Sequence, residues 1–91
     1  MINGSIDEFM DKLWSGEELI YTYRGKKYFS QGYIDDEKKY VFELQMWEPE
    51  IKTLWQVRGL SNQESLDVFL KEPLFEGKKF WEAEKEMEWV D

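Results

Sequence analysis

At 91 residues, 42% of them hydrophobic and 18% aromatic, the chain is long enough to bury one core and too short for two, so a single domain spanning 1–91 is expected. A net charge of −8 argues against direct binding to nucleic acid or to an anionic membrane, since both require a basic surface. Cys and His are both absent, which excludes disulfides, thiolate nucleophiles, cysteine-type zinc sites, the commonest general base and the commonest transition-metal ligand.

In chain order, Ser5-Ile6-Asp7-Glu8 has the spacing of a capping box, and Ile6, Phe9, Met10, Leu13 and Trp14 follow it on one helical stripe. These predict a first helix over Ile6 to Ser15, with Gly16 as its left-handed C-terminal cap. From Leu19 the period changes to two and aromatic and β-branched residues dominate. Strands are expected at Leu19 to Tyr23 and Tyr28 to Ile34, joined by the Gly-centred turn Arg24-Gly25-Lys26-Lys27. After the turn Asp35-Asp36-Glu37-Lys38, a third strand runs from Tyr40 to Trp47. Glu48-Pro49-Glu50 breaks it, and Leu54 to Arg58 reads as a fourth.

A second capping box, Ser61-Asn62-Gln63-Glu64, precedes Leu66, Phe69 and Leu70 and predicts a second helix that ends before Pro73. The segment Phe80 to Val90 satisfies both periods: Phe80, Ala83, Met87 and Val90 share a helical stripe, and Trp81, Ala83, Met87 and Trp89 share a strand face. Helix is favoured over strand, because Glu, Lys, Ala and Met form helices well and β-branched residues are few. The expected fold is therefore α+β, a four-stranded antiparallel meander with three helices in the order α-β-β-β-β-α-α.

Candidate chemistry is sparse, and no cofactor or metal is implied. An enzymatic reading would rest on paired carboxylates such as Asp35 and Asp36 across a cleft, for which so small a domain has little room; the protein is expected not to be an enzyme. Asp35-Asp36-Glu37 lacks the spacing of a calcium loop, and the look-alike segments Gly25-Lys26-Lys27 and Gly77-Lys78-Lys79 lack that of a phosphate-binding loop. Both lysine segments read as turns. With no transmembrane-length segment and no signal-peptide pattern, no membrane association and a cytoplasmic location are expected.

Two surfaces stand out. Aromatic residues occur on both faces of the expected sheet, Tyr21 and Tyr23 alternating with Ile20, Tyr28 with Phe29, and Trp47 opposing Met46 and Leu44. Helices on one face would leave large rings on the other, to be covered by the third helix or a second copy, or to serve as a protein-binding face. The second surface is acidic. Net charge is −4 in residues 1 to 18, +1 in 19 to 60 and −5 in 61 to 91. At the carboxyl end, Glu82, Glu84, Glu86, Glu88 and Asp91 are interleaved with Trp81 and Trp89. Carboxylates on one face there would lie roughly 6–7 Å apart, a spacing like that of backbone phosphates.

The segments Gly16 to Tyr28 and Phe75 to Glu84 resemble stretches of short, uncharacterised acidic proteins of Gram-positive bacteria or their mobile elements, a resemblance that implies no particular activity. In size and acidity the chain is also similar to inhibitors carried by phages and mobile elements, including nucleic-acid mimics. The resulting expectation is a non-enzymatic protein-binding module, an inhibitor presenting its acidic carboxyl-terminal face to a basic, nucleic-acid-binding protein. The alternative is a structural or regulatory domain that self-associates through its aromatic sheet face. The chain itself would be a monomer or a homodimer.

Overall fold

In the computed structural model, residues 6–90 are described; Ser5, the expected first cap, and Asp91 lie outside them. Helix α1 (Ile6–Ser15) buries Phe9 and Leu13 as the stripe requires, whereas Trp14, placed on the same stripe from sequence, remains 47% exposed. Gly16, at φ +77°, closes the helix: its N–H donates to the Leu13 carbonyl and that of Glu17 to the Lys12 carbonyl, both at 3.1 Å. This double bond pattern satisfies carbonyls that the last helical turn leaves open.

Strands β1 (Leu19–Tyr23) and β2 (Lys26–Ile34) form a hairpin through Arg24 and Gly25, whose φ values of 49° and 78° belong to the turn that matches the twist of paired strands. Strands β3 (Tyr40–Glu48) and β4 (Lys52–Arg58) continue the antiparallel meander. Helix α2 (Asn62–Lys71) starts at the expected capping box, where the Glu64 N–H donates to Ser61 Oγ and the Ser61 N–H to Glu64 Oε1, each at 3.1 Å. The Asn62 side-chain amide donates to the Trp14 carbonyl at 2.7 Å, tying the start of α2 to the end of α1.

The carboxyl-terminal segment departs from expectation. Helix α3 (Phe80–Ala83) is a single turn, followed by a 3-10 turn (Glu84–Glu86) and a short strand β5 (Met87–Trp89). The sheet therefore has five strands rather than four, in the order β4-β3-β2-β1-β5, and the favoured helix over Phe80 to Val90 is corrected to helix, then turn, then strand. The reason is geometric. In a helix Met87 and Trp89 would point about 200° apart, so only one could reach the core; in a strand both face it. The free edge of β1 also supplies backbone partners, with Met87 opposite Tyr23 and Trp89 opposite Tyr21.

Register and burial separate two sheet faces. Leu19, Tyr21 and Tyr23 of β1, Tyr28 of β2, Phe42, Leu44 and Met46 of β3 and Met87 of β5 join Phe9, Leu13, Leu66, Phe69, Phe75 and Phe80 in one core. Edge-on and tilted ring contacts dominate it: Phe69 meets Phe42, Trp55, Phe75 and Phe80 at centroid distances of 5.5 to 6.0 Å. All three helices thus pack on the same face.

The two Gly-Lys-Lys segments, alike in sequence, adopt the same turn. Glu76 and Gly77 have φ values of 56° and 82°, and Phe75 and Lys78 exchange two backbone hydrogen bonds of 3.0 Å. The turns meet through the Lys26 to Glu76 ion pair at 2.8 Å, while Arg24 beside them grips Glu86.

Candidate functional site

Residues on the opposite face of the sheet form rows set by the strand pairing, because every second residue points the same way and partners stand directly opposite. Tyr33, Val41 and Arg58 make one row; Gln31, Glu43 and Gln56 the next; Phe29 and Gln45 the third, with Ile20 beyond Phe29. Trp47 follows Gln45 along β3. Phe29 and Val41 are buried yet stand outside the core cluster, and the buried side chains of α1, α2 and α3 belong to that cluster on the other side. Among the described residues, no helix covers this face.

Glu43 lies on this face on β3, an inner strand between β2 and β4, and is only 5% exposed. Its carboxylate accepts from three glutamine amides: Gln31 Nε2 and Gln45 Nε2 donate to Oε2, the latter at 3.1 Å, and Gln56 Nε2 to Oε1 at 3.3 Å. The donors are where the register puts them. Gln31 and Gln56 are the cross-strand partners of Glu43, and Gln45 is its same-face neighbour. Trp47 Nε1 in turn donates to Gln45 Oε1 at 3.0 Å, which holds the indole against the Phe29 ring, stacked at 4.6 Å. Every donor on Glu43 among the described residues is neutral.

Two basic residues on this face, Lys27 and Arg58, are engaged elsewhere. Arg58 pairs with Asp35 and Glu37, and Lys27 with Glu48 at 3.2 Å. Asp35, which also accepts the Lys39 N–H at 3.0 Å, has its carboxyl held below the usual range, first by that backbone bond and then by Arg58. Among the described residues no cation pairs with Glu43.

The carboxyl-terminal candidates are dispersed. Trp81 is 48% exposed on α3, and Glu82 turns back to accept the Lys79 N–H at 2.9 Å. Glu84 is tucked in at 9% exposure. Glu86 accepts from Arg24 Nε and Nη2 at 3.2 and 3.1 Å, and these bonds hold its carboxyl below the ordinary range. Glu88 is exposed at the sheet edge, whereas Trp89 packs edge-on against Phe9 at 5.4 Å. These acids do not line one face, and Trp89 belongs to the core side.

Among the described residues no pocket is found, no group of three or more Asp and Glu is placed to hold a metal ion, and no helix is long and apolar enough to cross a membrane. Sequence reasoning identified the rings of this open face but passed over Glu43, Gln31, Gln45 and Gln56. The available signal was Glu43 at an outward position between Val41 and Gln45 on an inner strand of a meander. Comparisons with protein-family models, with curated proteins and with solved structures gave no match.

Proposed function

We propose that the protein is a non-enzymatic binding module that docks a basic protein partner on the open face of its sheet. The observation carrying this reading is the buried Glu43 carboxylate, held among the described residues by three neutral amides, on a face that no described helix covers. Large half-buried rings beside a desolvated polar centre are the composition of binding hot spots. The net charge of −8 selects the sign of the partner and adds long-range attraction. A flat face suits a macromolecule better than a small substrate, which binds in concave sites.

This places the proposed docking surface on β2, β3 and β4 rather than on the carboxyl-terminal acids. A row of carboxylates imitating phosphates needs free, aligned groups, and Glu82, Glu84 and Glu86 are each drawn into local structure. The test begins with affinity capture of a partner and continues with the purified pair. Trp47→Ala is expected to weaken that complex by about tenfold or more. Joint replacement of Glu82 and Glu88 by Gln is expected to leave affinity within about threefold, as for rim charges. Loss on the second change with none on the first overturns the proposal.

A further inference from the structure

We infer that the open face reads an arginine side chain, with Glu43 as the residue that accepts its guanidinium. The inference rests on the docking reading above and specifies its chemistry.

Burying a carboxylate among neutral donors is unfavourable compared with an apolar residue of similar size, and a sheet face next to Phe29, Val41 and Trp47 has no structural need of one. Departures from local consistency of this kind concentrate at functional positions. Three amide donors leave part of the acceptor capacity of the carboxylate unused, since an ionised carboxylate offers about four lone-pair sites. What is missing is the opposite charge.

The route to the carboxylate runs over β4. Gln56 is exposed, lies on an edge strand, and makes the longest of the three bonds at 3.3 Å. Turning its amide outward uncovers Oε1 while Gln31 and Gln45 continue to hold Oε2. A planar guanidinium fits the vacated position better than an ammonium, because two parallel N–H groups can approach the carboxylate together and the flat, weakly hydrated cation tolerates aromatic surroundings. Tyr33 stands in the neighbouring row of the face, and Trp47, stacked on Phe29, lies beyond Gln45, so both rings are on the surface that a bound chain would cross. A second copy of this chain does not meet the requirement, since its two arginines are already paired, Arg24 with Glu86 and Arg58 with Asp35 and Glu37.

The test is a titration of the ¹⁵N-labelled protein, followed by the side-chain amide signals of Gln31, Gln45 and Gln56 and the indole signal of Trp47. The probes are three capped tripeptides, acetyl-Gly-X-Gly-amide, with X as arginine, lysine or the neutral isostere citrulline. The expected result is a saturable shift of these four residues by the arginine peptide, with citrulline weaker by about tenfold or more. Glu43→Gln should abolish the response without changing the backbone spectrum, because Gln56 can turn to present its carbonyl to the new amide. Equal responses to arginine and citrulline, or shifts scattered over surface acids and unchanged in Glu43→Gln, overturn the inference. The citrulline comparison needs no variant and so holds even where Glu43→Gln disturbs folding. A captured partner that loses affinity for Trp47→Ala but not for Glu43→Gln refutes the arginine assignment and leaves the docking face standing; one that binds both variants normally refutes the face.

Discussion

Gly32 lies under the ring of Tyr40, and Gly32→Ala tests whether that cover holds the end of the sheet together. A Cβ built on Gly32 would stand 2.0 Å from Tyr40 Oη, 2.5 Å from Cζ and 2.8 Å from Cε1, so the ring must move. The same hydroxyl lies 2.7 Å from a Cβ placed on Gly16, whose carbonyl accepts the Gly32 N–H at 2.9 Å. Tyr40 thus seals a backbone contact between the end of α1 and β2, an aromatic ring covering a strand glycine. Overpacking of this kind costs about 1–3 kcal/mol. Alanine returns about 0.5–1 kcal/mol through the lower entropy of the unfolded chain. The net expectation is a destabilisation of about 1–2 kcal/mol, or about 4–16 °C in Tm for a domain of this size. Thermal and urea unfolding followed by circular dichroism measure it. Tyr40→Phe should not rescue the variant, because Cζ is still too close, whereas Gly32→Ala in a Tyr40→Ala background should cost nothing or stabilise. A neutral Gly32→Ala, or an equal cost in both backgrounds, refutes the reasoning.

Two further outcomes are expected. Phe69→Ala removes a fully buried ring that touches four others, at a cost of about 3–5 kcal/mol; against a total of about 5–15 kcal/mol, urea unfolding should show a large fall in midpoint or an unfolded chain. Tyr28 has its hydroxyl pushed up from 10.0 to about 12, mainly by burial and then by the charge of Glu76, and burial pushes Tyr21 up as well. The folded state favours the neutral phenol, so this contribution is complete below the ordinary value and lost as pH rises through about 12. Alkaline unfolding followed by phenolate absorbance should begin in that window, and Tyr28→Phe should shift it upward.

The meander and the first two helices were legible because each has a local signal that tertiary structure does not override. The Ser61 to Glu64 box marked α2, Gly16 ended α1, and Gly25 set the β1–β2 hairpin. Residues 80–90 were not legible for a physical reason. Good helix formers compete there with two hydrophobic residues, Met87 and Trp89, spaced for a strand, and what decides between them is the open edge of β1, a partner distant in the chain. The α3 turn and β5 each take the residues that suit them. The open sheet face was partly legible, since alternation put Phe29 and Trp47 opposite the helix-covered residues. Its centre was not. Glu43 is one acid among twenty in the sequence, and only the register that sets Gln31 and Gln56 on either side of it distinguishes it from a solvated charge.

That register also weighs the two ways of covering the face. Two copies packed by a two-fold axis through its centre would bring one Glu43 against the other, and two carboxylates about 5 Å apart at an effective dielectric constant near 20 repel by about 3 kcal/mol. Closing such an interface would also remove the water nearest both groups, while Lys27 and Arg58 on the face remain held by acids at its rim. Moving the axis toward Phe29 and Trp47 relieves the repulsion but buries less of the face and leaves Glu43 at the boundary. A basic partner reverses each term. The cation replaces lost solvent and the repulsion becomes attraction. The same carboxylate that opposes self-association therefore favours a partner of opposite charge, which is why the open face is better read as a docking surface for another protein than as half of a homodimer.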